Sequence, residues 1–420
     1  MDFALSPELR ALREEALKVG LEASERADVP DDSWIIGHDR AFAQELGARG
    51  WLGMTWPVAH GGGGRSPLER FVVFEALIST GAPVAAAWFA DRQMGPSLLQ
   101  FGTDEQRARW LPGIIAGTSM WCIGMSEPDA GSNVAGIRTR AERDGDEWVV
   151  NGQKIWTSGA ADADWCYLIA RTDPDAKPHE GLSELVVDMR SAGVSVRPIV
   201  DMTGNRHFCE VYFEDVRVPD AHLVGELNGS FRQVMRQMEH ERGGIDRLVS
   251  NRRLYDDVRP WADATDPLVR QEIAAIESGY RIGRILVLRE TLGQTPRQFS
   301  AATKTFCTEL EQRIAAFCGR VLGAWALLAE AGPSGRGSGQ TGPSGRGSGQ
   351  TGPGGRGSGQ TGPSGRGSGE AGSGDAAGAL ARRVSRNLCY APAYTIMGGT
   401  SQILRNILGE RTLGLPREPR

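Results

Sequence analysis

The sequence predicts an α+β protein with a helical N-terminal domain, a central antiparallel β-barrel domain and a C-terminal helical bundle. Apolar residues recur at helical spacing to about residue 120, alternate with period two from Met120 to Val218, and return to helical spacing from Leu223 onward. The chain has 420 residues, of which 40% are hydrophobic, and this length allows about two to three domains. We therefore expect domains at residues 1–120, 121–222 and 223–420.

In the N-terminal part, Ser6 and Pro7 begin the first predicted helix, with serine as N-cap and proline at the first helical position. Later segments with the helical period run from Asp39 to Gly47, Leu68 to Ser79 and Asp104 to Ile115. The four glycines from Gly61 to Gly64 lack the spacing of a phosphate-binding loop, so we expect a flexible turn there.

In the central part, runs rich in β-branched and aromatic residues are separated by Gly, Pro, Asp and Ser. The predicted strands run from Asp164 to Arg171, Leu182 to Asp188, Val194 to Val200 and Phe208 to Val216. We also expect a hairpin at Asn151-Gly152, the dipeptide that best tolerates a type I′ turn, joining Trp148–Val150 to Lys154–Trp156. Because no helix-length segment interrupts these strands, the pattern disfavours a parallel nucleotide-binding sheet.

The C-terminal part predicts long amphipathic helices, at Ser230 to Leu254, Pro267 to Leu292, Gln298 to Ala329, Ala377 to Arg386 and Ser401 to Glu410. A ten-residue Gly-Pro-Ser-Gly-Arg-Gly-Ser-Gly-Gln-Thr unit repeats through residues 332–369. This composition cannot bury enough apolar area to offset ordering entropy, so residues 331–375 are predicted to be a disordered insertion. A tether or a partner-binding arm is the alternative.

Composition excludes several classes of function. The net charge is −5, without a basic block, so neither nucleic acid nor an anionic membrane surface is indicated as a partner. No apolar run approaches the roughly 20 residues that span a bilayer, and the acidic N-terminus does not resemble a signal peptide, which predicts a cytoplasmic protein. The six cysteines are scattered without a Cys-x-x-Cys pair, so we expect neither a disulfide framework nor a metal site.

Two glycine- and hydroxyl-rich segments are candidate ligand loops. Ser126 to Asn133 form a polar, sharply bent loop after the apolar run Met120 to Met125, and such loops present N–H groups and hydroxyls to ligands. Near the C-terminus, Gly398 and Gly399 lead into Thr400 at a helix start, where free N–H groups attract anions. A surface turn and an ordinary N-cap are the respective alternatives.

Glu241 is the candidate catalytic base. Ser230 and Gln233 form a predicted capping box, and Glu241 falls on the apolar stripe of the helix that follows. A desolvated carboxylate has a raised pKa and suits proton removal near neutral pH. A structural ion pair involving Arg242 explains the pattern equally well.

These segments together resemble the acyl-CoA dehydrogenase family in order and spacing, over nearly the whole chain. The resemblance implies that fold and an FAD cofactor. Flavin contacts are expected from Met125, Ser126, Gly131, Ser132, Trp156, Thr157, Ser158, Thr400, Ser401 and Gln402. Substrate contacts are expected from Ser132, Glu239, Arg242, Gly398 and Gly399.

The family places its catalytic glutamate at one of two positions, and here the C-terminal position is Gly398. Glu241, followed by Arg242, matches the other position, as in the isovaleryl and long-chain types. The resemblance thus implies α,β-dehydrogenation of an acyl thioester of coenzyme A or a carrier protein, with Glu241 as α-proton base and hydride transfer to FAD N5. The Gly398 N–H is the expected donor to the thioester oxygen. An electron-transfer flavoprotein is the expected acceptor, and the expected assembly is a homotetramer or homodimer.

One family motif is missing. Many members carry Arg-x-x-Phe-Gly, which reaches the flavin pyrophosphate of a neighbouring subunit, whereas the region Thr291 to Phe299 does not match it. Two alternatives therefore stay open: oxygenase or oxidase chemistry on the same fold, and a non-catalytic subunit that completes the flavin site of a partner in a mixed oligomer.

Overall fold

The structure is a computed structural model that describes residues 5–26, 31–234, 244–296, 298–327 and 373–417. Glu239, Glu241, Arg242 and the 332–369 repeat lie outside the described residues. Within the described ranges, no helix combines the length and the apolar character needed to cross a membrane.

The N-terminal part is helical, as predicted. Its helices α1 to α7 are Pro7–Arg26, Ser33–Ile36, Arg40–Ala48, Pro67–Ser79, Ala85–Phe89, Gly95–Phe101 and Asp104–Ile115. Side chains cap several of them: Asp39 accepts from the Phe42 N–H at the start of α3, and Ser66 and Thr103 form capping boxes at α4 and α7. A π-helical turn, Ala90–Met94, joins α5 to α6.

The central part is a mainly antiparallel sheet, in agreement with the predicted β domain. Strands β1 to β8 are Trp121–Gly124, Arg140–Asp144, Glu147–Lys154, Trp165–Arg171, Leu182–Asp188, Val194–Ile199, Phe208–Pro219 and Leu223–Val224. The strand order is β6-β7-β3-β2-β4-β5-β8, and β1 pairs in parallel with β4. Side chains of β3 and β7 alternate between a buried core and a more exposed face, whereas β4 and β5 are buried on both faces.

The predicted Asn151-Gly152 hairpin is wrong. Both residues lie inside β3, which runs through to Lys154 and pairs with β7, and the register shifts between Val150 and Gly152. The hairpin turn lies earlier, between Asp144 and Glu147, where Gly145 has φ +67°. Asn-Gly tolerates a tight turn, but here pairing with two neighbouring strands keeps the dipeptide extended. The glycine lies at a bulge in β3 instead.

The C-terminal part is a bundle of helices. A helix α8 begins at Ser230 and is described over 230–234; α9 to α14 are Asp246–Val249, Arg252–Val258, Pro267–Thr291, Ser300–Leu322, Ser373–Tyr394 and Ser401–Ile407. The prediction of one helix from Ser230 to Leu254 is wrong in its second half, because the chain leaves helical conformation between α9 and α10. There the Ser250 hydroxyl donates to the buried Asp32 carboxylate at 2.6 Å.

The bulge in β3 gives a direct test of the strand assignment. A Cβ at Gly152 would lie 2.7 Å from the Cα of Thr139, whereas a Cβ at Gly145 would meet nothing within 4 Å. We expect Gly152→Ala to lower the free energy of unfolding by about 1–3 kcal/mol because backbone must move. Urea denaturation measures this, with Gly145→Asn as the control, since asparagine tolerates positive φ. Equal stability of Gly152→Ala and the wild type would contradict the assignment.

Candidate active site

The polar loop after β1 is held by the Glu127 carboxylate. Glu127 accepts hydrogen bonds from the N–H groups of Arg138 at 2.7 Å and Thr139 at 2.9 Å, so it fixes both ends of the loop. Its backbone also exchanges hydrogen bonds with Ala130, which closes a tight turn. Met125 and Ser126, two expected flavin contacts, are half-buried at the base of this loop, while Gly131 and Ser132 are exposed at its tip.

Lys154, at the end of β3, is the buried counterion of Glu127. Its side chain has no exposed surface, and Nζ donates to Glu127 Oε1 at 2.8 Å and to the Met125 carbonyl at 3.1 Å. Burial lowers the pKa of Lys154 to about 8 against the opposing pull of Glu127. Burial alone would raise the pKa of Glu127, but the charge and hydrogen bond of Lys154, together with the hydrogen bonds from Arg138 and Thr139, lower the pKa overall. The loop is therefore tied to the sheet by a desolvated ion pair.

The next residues along the chain form an aromatic wall beside the loop. Ile155 donates to the Ser126 carbonyl at 2.9 Å, and Trp156 then adopts φ +59° with 54% of its surface exposed. The Trp156 ring packs edge-on against Phe208 at 5.7 Å. Thr157 is buried and exchanges two backbone hydrogen bonds with Cys209, and Ser158 is half-buried. An exposed indole in a strained backbone conformation is typical of a ligand wall.

The C-terminal segment forms a turn that only glycine adopts readily. Gly398 and Gly399 have φ +67° and +98°, and Thr400 then caps α14 by accepting from the Ile403 N–H at 3.2 Å. Below the turn, the buried Lys304 of α12 donates to the Gly399 carbonyl at 2.7 Å. Ser401 is buried and Gln402 is exposed. Thr400 therefore caps α14 without the need for any ligand.

Ring contacts bring the aromatic wall and the glycine turn together. Phe208, which contacts Trp156, lies 3.9 Å from the His207 ring, and His207 lies 5.9 Å from Tyr390. The Tyr390 hydroxyl approaches Met397 Sδ at 3.7 Å, immediately before Gly398. A path of side-chain contacts therefore links Trp156 to the Gly398 turn at the junction of sheet and bundle. The contacts of the described residues do not extend this link to Gly131 or Ser132, and Glu239, Glu241 and Arg242 lie outside the described residues.

Sequence reasoning missed three buried groups near this site. Along β3, Lys154 lies an even number of residues from the buried Trp148 and Val150, and this spacing predicts a side chain on the buried face. Lys304 lies on the apolar face of α12. His207 gave no sequence signal, because its environment comes from distant rings and from Asp201, whose Oδ2 lies 3.7 Å from Nδ1. Burial lowers the pKa of His207 to about 4, so its ring is neutral at physiological pH.

A buried carboxyl group joins the sheet to the start of α8. Glu184 of β5 accepts from the Tyr167 hydroxyl at 2.5 Å, the Gln233 amide at 2.8 Å and the Ser230 hydroxyl at 3.3 Å. The predicted Ser230–Gln233 capping box is therefore wrong, because both side chains bind Glu184 instead. Burial raises the pKa of Glu184 to about 7. This cluster holds the start of α8 against the sheet.

The residues present fit a flavin. Within the described part of the chain, the buried hydroxyls of Thr157 and Ser401 have no hydrogen-bond partner, and both belong to the segments where flavin contacts are expected. Buried hydroxyls are normally paired, so these two are available to a polar ligand. The half-exposed Trp156 indole adds a planar surface for a ring system.

The Lys154 ion pair predicts a large effect of truncation. Lys154→Met leaves the Glu127 carboxylate buried without its counterion, so we expect the free energy of unfolding to fall by about 3–5 kcal/mol. Urea denaturation measures the loss, and the double variant Lys154→Met/Glu127→Gln should recover part of it. Arg143→Met, which breaks an exposed pair with Asp220, is the control and should cost less than about 1 kcal/mol. A small loss for Lys154→Met would show that the pair does not anchor the loop.

Glu184 predicts a pH dependence. Its folded pKa of about 7 exceeds the ordinary value of 4.5, so the folded state retains a proton that the unfolded chain releases. Its stabilising contribution is complete below pH 4.5 and is lost as the pH rises through 7. Between pH 5 and pH 8 the wild type should lose up to about 3 kcal/mol more than Glu184→Gln. Parallel stability curves for the two proteins would refute this, and Glu147→Gln on an exposed part of β3 is the control.

Comparisons with known proteins agree with this architecture. Residues 6–118 match the model of the acyl-CoA dehydrogenase N-terminal domain, and residues 122–216 match that of the middle domain. The chain is 34% identical over 385 residues to the acyl-CoA dehydrogenase IpdE1 of Mycobacterium tuberculosis, covering 90% of this chain and 88% of the relative.

Solved structures match along the full length. The Tcur3481-Tcur3483 steroid ACAD superposes with a TM-score of 0.80 at 30% identity, covering 100% of both chains. The ChsE4-ChsE5 complex of Mycobacterium tuberculosis gives a TM-score of 0.78 at 30% identity, again covering 100% of both. The chain belongs to the acyl-CoA dehydrogenase family of flavin-dependent oxidoreductases.

Proposed function

We propose that this protein dehydrogenates an acyl thioester between its α and β carbons, with Glu241 as the base. The observation that carries the proposal is the path of contacts that links the Trp156 wall to the Gly398 turn. Family membership supplies the reaction class. The proposal also rests on Gly398 itself, because a glutamate at φ +67° would be strained, which favours the alternative base position at Glu241.

Three groups of residues have separate roles in the proposed reaction. Glu241 removes the α-proton, and Glu239 and Arg242 on the same segment contact the substrate. The turn at Gly398 and Gly399 lies beside the thioester, where backbone groups stabilise negative charge that develops on its oxygen. The residues that would hold FAD are the loop from Met125 to Ser132, with Trp156, Thr157 and Ser158, and the segment from Thr400 to Gln402. Bound there, FAD would supply an acceptor at N5 for the β-hydrogen, which leaves the substrate as hydride.

The substrate is proposed to be a coenzyme A thioester with a bulky acyl group. The full-length match to a steroid ACAD supports a ring-containing acyl group, and the names of the relatives support coenzyme A over a carrier protein. An electron-transfer flavoprotein is the proposed acceptor of the electrons.

The protein is proposed to act as an oligomer. Two of the full-length structural matches have names that pair two proteins. These names favour a mixed assembly of this chain with a related chain over a homotetramer or homodimer. A subunit role in which the partner supplies the chemistry is the second candidate function, favoured by the same names.

Anaerobic titration of the purified protein with acyl-CoAs tests the proposal. Bound flavin should lose its visible absorbance, and Glu241→Gln should slow this loss by roughly 10²–10⁴-fold because the α-proton has no acceptor. The control is Glu226→Gln. Glu226 is exposed, precedes α8 and pairs with Arg232 in that helix. Bleaching of Glu241→Gln at the wild-type rate would overturn the assignment of the base. A colourless protein that gains flavin only with a related chain would favour the subunit role, and rapid reaction of the reduced flavin with oxygen would favour an oxidase or oxygenase.

A further inference from the structure

A cavity of about 620 Å³ lies between α4, the α5–α6 segment, α11 and the start of α12. Five aromatic residues contribute to its wall, namely Trp56, Phe71, Phe74, Trp88 and Phe299. This volume lies within the range of about 300–1,000 Å³ that sites for drug-sized ligands occupy, and an apolar wall with a few polar groups is typical of them.

One end of this cavity is lined by residues that follow the proposed base in the sequence. Gly244 and Ile245 line it, and Gly244 follows Glu241 by three residues. Three residues of chain span at most about 11 Å between Cα atoms. This covalent limit is compatible with an acyl group that extends from the base into the cavity.

The strong charges that line the cavity are already compensated. Arg70 pairs with Asp91 at 2.5 Å, and Asp91 also accepts from the Gly53 N–H at 2.7 Å. Arg92 pairs with Asp246 at 2.5 Å. A charged acyl end would enter without a counterion, and burying an unpaired charge is unfavourable. The cavity therefore suits an uncharged group.

Polar groups gather where α11 ends and α12 begins. Glu290 is half-buried there, accepts a hydrogen bond from the Thr303 hydroxyl, and has its pKa raised by burial to about 7. Gln298 has φ +65°, and its buried Oε1 has no hydrogen-bond partner among the described residues. A protonated carboxyl donates a hydrogen bond, and a carboxamide both donates and accepts. Both side chains line the cavity.

We propose that this cavity receives the part of the acyl group farthest from the thioester, and that Glu290 and Gln298 select an uncharged acyl group carrying a hydroxyl or ketone oxygen at that end. This inference rests on the proposed function. It adds the residues that contact the far end of the substrate. The aromatic side chains provide apolar contacts, and Glu290 and Gln298 provide polar contacts.

A matched pair of substrates tests the inference. One is a fused-ring acyl-CoA with a ketone on the ring carbon farthest from the thioester, and the other lacks only that oxygen. The wild type should reduce its flavin with a kcat/KM roughly tenfold higher for the ketone, the value of one hydrogen bond of about 1.4 kcal/mol. Glu290→Leu should bring this ratio close to one through KM, with kcat little changed, and Glu290→Gln should keep most of it.

The control is Glu272→Gln on the same helix, where Glu272 pairs with Arg320 away from the cavity, and it should keep the wild-type ratio. The dissociation constants of the two enoyl-CoA products, measured by calorimetry on the wild type, give a readout that needs neither turnover nor a variant. Tighter binding of the oxygenated product supports the inference, and equal binding of both products overturns it. If both substrates bleach the flavin equally, the inference fails while the proposed function stands. If neither bleaches it, the proposed function fails.

Discussion

A lysine ammonium with no exposed surface lies at the end of β3, and the local structure depends on neutralising it. A charge in this position is tolerated only with a close counterion, and Glu127 supplies one while also binding two backbone N–H groups of the loop. The same Nζ binds the Met125 carbonyl. Sheet and loop are consequently one unit: the loop cannot leave its place without exposing both ions to an apolar interior.

Buried polar groups also join the domains to each other. Glu184 connects the sheet to the start of α8, and Asp32, in a left-handed conformation, accepts from Ser250 and from Tyr394 at 2.6 Å each. Burial raises the pKa of Asp32 to about 6. Such networks contribute geometry more than net stability, since their desolvation offsets much of their hydrogen bonding. They hold the start of α8 against the sheet and the N-terminal part against the C-terminal bundle.

Most helices and strands could be predicted from the sequence, because the periodicity of apolar residues and helix capping depend on neighbouring residues. The start of α1 at Pro7, the bounds of α7 and the strand Leu182–Asp188 follow from residues within a few positions. The wrong prediction of a turn at Asn151-Gly152 has a physical cause. The dipeptide tolerates a turn conformation, but its pairing with β2 and β7 holds it in a strand. Lys154 and Glu127 are 27 residues apart, so their pairing appears only when the sheet is assembled. The role of Glu241 stays a prediction.

The contact path from Trp156 to Met397 has a mechanical consequence. Each side is held by a buried lysine, one through the Lys154 ion pair and the other through the Lys304 hydrogen bond to Gly399. Between them the path runs through aromatic ring contacts, whose packing is only weakly directional. A small shift of one side relative to the other would therefore cost less free energy at the rings than at the hydrogen bonds on either side.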